Sequence, residues 1–164
     1  MNILEKKTFK TGEYSNAAAL VLFDDSKGVR RMLCIKEKRT NVFNIPGGKA
    51  DKTDKDSLHT ALREMQEETK NGRNSGIVLK DIQHVGAYNI RGSIIHVIMT
   101  SDSLDKHCTS NVTNNETDFI GAFRVDYIQK LVNNNDSLDK VTCYGVDAAV
   151  RGCCKNTFNK MFKK

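Results

Sequence analysis

The sequence predicts an α/β fold, and three observations carry that prediction. Apolar runs with strand composition recur along the chain at Asn16–Phe23, Arg31–Lys38, Ser93–Thr100 and Phe119–Val125, set among turn residues. Between the second and third runs the period changes to that of a helix, with Leu58, Ala61, Leu62 and Met65 recurring at intervals of three and four. A second helical period closes the chain, through Val146, Ala149, Val150, Cys153, Cys154, Phe158 and Met161. At 164 residues the chain has the length of about one domain with a single core. No internal repeat or Pro-rich linker divides it, so one domain over residues 1–164 is expected.

Taken in order, residues 1–15 are polar and read as an arm or short strand. Asn16–Phe23 (NAAALVLF) is expected to be a buried strand, and Asp24-Asp25-Ser26-Lys27-Gly28 turns the chain back into Arg31–Lys38 as a hairpin. Val42–Ile45 forms a short strand entering Pro46. A helix runs roughly from Asp56 to Asn71, with Asp54, Asp56 and Ser57 as candidate N-caps. Ile77–Asn89 holds one or two strands, Arg91-Gly92 is a hairpin turn, and in Ser93–Thr100 the apolar setting of His96 suggests packing rather than ligation. Ser101–Asn115 is a polar surface loop of a length often associated with function. The strand Phe119–Val125 follows, then a short helix Tyr127–Asn133 capped by Asp126, a polar loop to Lys140, and an amphipathic helix Val146–Phe162 expected to pack on the sheet.

Composition narrows the class. No run approaches the roughly 20 apolar residues of a membrane span, and Met1–Lys7 lacks the apolar core of a signal peptide. The five cysteines are odd in number and scattered, which argues for a reducing compartment over a disulfide framework. A cytoplasmic protein with no membrane partner is expected. The formal net charge of +6 favours polyanions, whether phosphorylated small molecules or nucleic acid.

The chemistry concentrates between Asn44 and Gly72. Glu64, Glu67 and Glu68 stand at i, i+3 and i+4, which places them on one helix face. Clustered carboxylates repel and raise one another's pKa unless a cation sits among them. Hard oxygen donors without Cys or His suit Mg2+ or Mn2+ rather than zinc. A Glu-rich face is also what a solvated helix presents; the upstream Ile45-Pro46-Gly47-Gly48 favours a site. There a double glycine lets the backbone turn tightly and bring a carbonyl close to a ligand. Lys36, Lys38 and Arg39 end the preceding strand, either solvated or lining a phosphate site.

This stretch, with Gly47-Gly48, a spaced acid and then Arg63-Glu64-Met65-Gln66-Glu67-Glu68, resembles the signature of the Nudix hydrolases. The first half departs from the pattern. Asp54 stands at the place of the family's first Glu, with eight residues between it and Arg63 where the family has seven. Asp56 is the alternative acid. Gly72, displaced from the family's glycine, remains a candidate C-cap.

The resemblance implies an α/β/α sandwich with a mixed sheet, and metal-dependent hydrolysis of a pyrophosphate bond. It implies Glu67 and Glu68 as principal ligands of Mg2+ or Mn2+, Glu64 as ligand or general base, the Gly47 carbonyl as a further ligand, and Arg63 as the residue orienting the glutamates. Glu116, with Asp118 as alternate, stands where the family often places another ligand or the base. Gly48, Lys36, Lys38, Arg39 and Tyr88 are candidate substrate contacts. Tyr88 lies seventeen residues past Asn71, a spacing similar to that of the dinucleoside polyphosphate group. The implied partner is a phosphorylated small molecule (a nucleoside diphosphate derivative, dinucleoside polyphosphate, nucleoside triphosphate or inositol pyrophosphate) or the 5′ end of a capped RNA. The alternative is a non-catalytic Nudix-like module that binds nucleotides or RNA; such modules usually lose the glutamates retained here.

Overall fold

The opening of the central hairpin is what makes room for a site. In the computed structural model, which describes residues 8–39, 43–90 and 92–133, β1 (Asn16–Asp24) lies at the middle of a seven-stranded mixed sheet. Its end pairs antiparallel with the start of β2 (Arg30–Glu37) through Leu22↔Met32 to Asp24↔Arg30. Toward the other end of the hairpin the two strands part. There β2 pairs with β3 (Phe43–Asn44), while β1 pairs with β4 (Gly47–Lys49). β1 runs parallel to β6 (Ser93–Met99), which pairs antiparallel with β5 (Gln83–Ile90). β7 (Thr117–Arg124) borders β2.

Alternation along β1 feeds two cores. Ala17, Ala19, Val21 and Phe23 pack with Leu33, Ile35 and the Ala61 and Met65 side chains of α1 (Ser57–Glu68). Leu20 and Leu22 pack on the opposite face with Met32, Cys34, Tyr88 and the Val125 and Ile128 side chains of α2 (Val125–Asn133). Burial on both faces explains why β1 reads as a continuous apolar run. Leu58 and Leu62 are only partly buried against the α1-side core.

The boundaries differ from expectation where side chains override local pattern. Asp56 caps α1, its Oδ1 accepting from the His59 N–H at 2.8 Å. The helix ends at Thr69, not Asn71: the Thr69 hydroxyl donates to the Met65 carbonyl (2.7 Å) and accepts from the Ile77 N–H (2.8 Å). Gly72 therefore is not the cap; it sits in the next turn at φ +59°. Only one strand, β5, forms between Ile77 and Ile90, because Ile77 is tied to the helix end. The loop from Ser101 contains a short 3-10 turn, Asp105–His107. Asp126 lies in the first turn of α2 instead of before it, and Val125, 3% exposed, is drawn into the core. The expected loop to Lys140, the helix Val146–Phe162 and Arg91 lie outside the described residues. No helix among the described residues is long and apolar enough to cross a membrane.

His96 is fully buried, as its apolar strand suggested. Its Nε2 stands 2.9 Å from Ser57 Oγ and its Nδ1 2.9 Å from His84 Nε2, so one chain of hydrogen bonds joins β5, β6 and the start of α1. Burial lowers its pKa from 6.5 to about 4, and the neighbouring His84 adds to that. The unfolded chain thus takes up a proton near pH 6.5 that the folded chain refuses until about pH 4. Stability is present above pH 6.5 and is lost as pH falls toward 4, by up to about 3 kcal/mol. Urea denaturation between pH 4 and 7 is expected to show this slope, and His96→Gln is expected to flatten it.

Candidate active site

β4 and α1 face each other across a space that only glycine allows. A Cβ on Gly47 would lie 2.5 Å from Ala18 Cβ and 2.8 Å from the Ala17 carbonyl oxygen; one on Gly48 would lie 2.5 Å from Glu64 Cδ. Neither glycine has a positive φ. The tight bend expected from the sequence is therefore a short strand, and close approach is what requires both glycines. Gly47→Ala would press on backbone and is expected to cost about 1–3 kcal/mol. Gly48→Ala would displace only the end of the Glu64 side chain. It is expected to melt near the wild-type temperature yet lose turnover, a split read by calorimetry beside a phosphate-release assay.

Glu68 is the most buried of the three glutamates, 7% exposed, and its Oε1 accepts from the Gly47 N–H at 2.8 Å. Burial pushes its acid up to about 9; the Gly47 N–H pulls the other way, and Glu64, Glu116 and Glu37 push further up. Glu64, half-buried, is also raised, first by burial; Arg63 opposes this, and Glu67 and Glu116 add to it. The Glu67 side chain is 46% exposed and lies against Arg63.

Arg63 is the hub of the acidic face. Its Nε and Nη2 hold Asp54 Oδ1 and Oδ2 at 2.8 and 3.0 Å in a bidentate pair. Nη1 reaches Glu64 Oε1 at 3.1 Å and Glu67 Oε1 at 3.2 Å, and Nη2 also donates to the Lys49 carbonyl at 3.1 Å. The Asp54 side chain is completely buried and also accepts from Thr60 Oγ1 (2.7 Å) and the Asp51 N–H (2.9 Å). The hydrogen bonds from Arg63 hold Asp54 well below the usual carboxylate range, and those to Asp54 raise Arg63 in turn. Of the two acids left open by the sequence, Asp54 is thus the partner of Arg63, and Asp56 is spent on the cap.

A ready-made cage of three carboxylates is not what the side chains form. Among the described residues no group of three or more His, Cys, Asp or Glu stands at metal-holding distance. Glu64 and Glu67 are taken up by the Arg63 guanidinium and Glu68 by the Gly47 N–H. The donor set still fits a hard divalent ion: all its side-chain groups are oxygens, Gly48 leaves the Glu64 carboxylate room, and Glu68 feels three further glutamates.

Two acids complete the field around Glu68. Glu116 is exposed in the loop before β7, its carbonyl accepting from the Lys38 N–H at 2.9 Å. Glu37, at the end of β2, was missed by sequence reasoning; its Oε1 accepts from Asn44 Nδ2 at 3.2 Å. Alternation with Leu33 and Ile35 along β2 was the signal that could have found it.

The predicted substrate contacts scatter. Alternation puts Lys36 on the face of Met32 and Cys34, opposite to Glu37. Lys38 Nζ donates to the Asn114 carbonyl at 2.7 Å, and Arg39 is exposed beyond β2. Tyr88 has no exposed surface and is part of the α2-side core, so it does not reach a substrate; sheet packing accounts for it.

Residues 13–141 match the family described as NUDIX domain. The fold is similar to that of an Ap4A hydrolase from C. elegans solved as a binary complex, at 12% identity and a TM-score of 0.53, over 90% of this chain and 96% of that one. It is also similar to DR0079 from Deinococcus radiodurans, at 11% identity and a TM-score of 0.54, over 92% of this chain and 90% of that one. No curated protein matches the sequence significantly.

Proposed function

Because this chain belongs to the Nudix family of pyrophosphohydrolases and has its α/β/α fold, we propose that it uses Mg2+ or Mn2+ to cleave the phosphoanhydride bond of a highly phosphorylated substrate. The single observation that carries this reading is the buried Glu68 carboxyl, set on the Gly47 N–H, with its proton affinity raised further by the charges of Glu64, Glu116 and Glu37. A cation set among these groups would offset the burial and the neighbouring negative charge that raise its proton affinity. Residues 1–164 are taken as one such domain.

Glu67 and Glu68, with Glu64, the Gly47 carbonyl and Glu116, would hold the ion. A divalent cation bound there supplies charge neutralisation for phosphate oxygens and a water of lowered pKa. Arg63, itself fixed by buried Asp54, sets the directions of Glu64 and Glu67. Glu64, whose affinity for a proton is raised by burial, is one candidate for the general base; Glu116 is the other.

The substrate belongs to the set a basic, metal-dependent pyrophosphohydrolase would attract: dinucleoside polyphosphates, nucleoside triphosphates, inositol pyrophosphates or capped RNA. The likeness to an Ap4A hydrolase puts dinucleoside polyphosphates first in a screen. Phosphate release from each class with and without Mg2+ or Mn2+ tests the reading. Metal-dependent release from at least one is expected; none from any would leave a nucleotide- or RNA-binding module. If capped RNA is the substrate, its binding is expected to weaken steeply with salt.

A further inference from the structure

One side chain outside the acidic face fastens the loop before β7 to the end of α1. Asn114 Nδ2 donates to the carbonyls of Glu68 (3.1 Å) and Lys70 (2.8 Å). Carbonyls at a helix C-terminus have no intrahelical partner and take up such donors. Asn114 Oδ1 accepts from the N–H groups of Glu116 and Thr117, each at 2.8 Å. The full capacity of the carboxamide is therefore used. Its donors act on the helix that carries Glu68, and its acceptor on the segment that carries Glu116.

Neighbouring residues reinforce the tie. Lys38 holds the segment twice, through Nζ to the Asn114 carbonyl (2.7 Å) and through its N–H to the Glu116 carbonyl (2.9 Å). Thr113 Oγ1 accepts from the Gly72 N–H at 2.6 Å, and the Thr113 N–H donates to Asn71 Oδ1 at 3.1 Å. A carboxylate brought near two others is repelled by them, and an exposed polar loop has little apolar burial to resist that push. The bonds of Asn114 supply the resistance.

We propose that Asn114 is a positioning residue for the reaction: it holds the segment that carries Glu116 against the end of the helix that carries Glu68, so that the loop carboxylate joins those of Glu64 and Glu68 in binding a divalent cation. This rests on the reading of these glutamates as the cation-binding set. The amide is specific to the task. Asp at this position would keep the acceptor for Glu116 and Thr117, but it would lose both donors to α1 and place an anion against its carbonyls.

Mn2+ alone is the probe, its free concentration read by electron paramagnetic resonance on the full chain, with the melting temperature recorded for each variant. Asn114→Ala is expected to weaken Mn2+ binding about 10–100-fold, and Glu116→Gln to weaken it comparably. The double variant is expected to bind no worse than Glu116→Gln, because Asn114 acts through Glu116. Should Asn114→Ala not fold, Asn114→Asp takes its place in the cycle. If Glu116→Gln weakens binding while the Asn114 variant does not, or if the two losses add, the positioning role is overturned and the glutamate reading stands. If wild-type protein binds no Mn2+, or Glu116→Gln binds it as wild type does, that reading fails first and the proposal falls with it.

Discussion

Glu68→Gln is expected to leave the fold intact and to remove most of the turnover. The Glu68 carboxyl is nearly enclosed, and burial lifts its acid from 4.5 to about 9. At neutral pH without a cation it therefore carries its proton, and glutamine is close to it in shape and charge. The amide oxygen can still accept from the Gly47 N–H that Glu68 Oε1 now occupies. The sign of the pH effect follows. The folded chain holds a proton between pH 4.5 and about 9 that the unfolded chain releases, so this contribution to stability is full below 4.5 and is lost as pH rises through 9. The glutamine variant lacks that decline, so its melting temperature without metal is expected to match the wild type near pH 4.5 and to exceed it increasingly from neutral pH into alkali. Turnover with Mg2+ is expected to fall by about 100-fold or more, since the lost charge is the one a metal ligand must supply. Glu67→Gln, at an exposed side chain, should reproduce the loss of activity. Full turnover in both variants would remove the metal assignment.

Asp54→Ala is expected to be the most damaging single change to stability, by about 3 kcal/mol or more. The Asp54 side chain has no exposed surface and accepts from Arg63, Thr60 and the Asp51 N–H. Removing it leaves the inner side of a guanidinium without its counter-charge and two further donors without an acceptor. For a chain of this size that is roughly 6–12 °C in Tm. Activity should fall as well, because Arg63 would then be free to follow Glu64 and Glu67 instead of directing them. Asp54→Asn, which keeps the shape and one acceptor, should lie between. Urea denaturation of the three proteins checks the order, and a loss below about 1 kcal/mol for alanine would show the pair to be solvated.

The parts of this molecule that were legible in the sequence are those fixed by local spacing. The apolar run of β1 and the i, i+3, i+4 glutamates of α1 depend only on the period of the backbone, and both stand where that period puts them. What was not legible depended on contacts between segments far apart in the chain. Asp54 and Asp56 look alike as loop acids, and only the packing of Arg63 against the loop separates partner from cap. Gly47 and Gly48 were recognisable as special, but the clash that requires them involves Ala18 on another strand and Glu64 on the helix. Tyr88 sat at a suggestive spacing, which carries no information about the face it occupies. Asn114 was one polar residue among many in a loop; its four hydrogen bonds exist only once β7 and α1 are assembled.

The parallel alignment of β1 with β6 has a consequence for the birth of the protein. Asn16 and its neighbour Ser93 are separated by 77 positions in the chain, so one flank of the central strand stays bare while the ribosome adds the intervening segments. Such distant pairing implies high contact order and slow folding. Until β6 emerges, the nascent chain displays an apolar edge open to adhesion by other chains. Premature termination ahead of residue 93 would release a sticky fragment rather than a smaller enzyme.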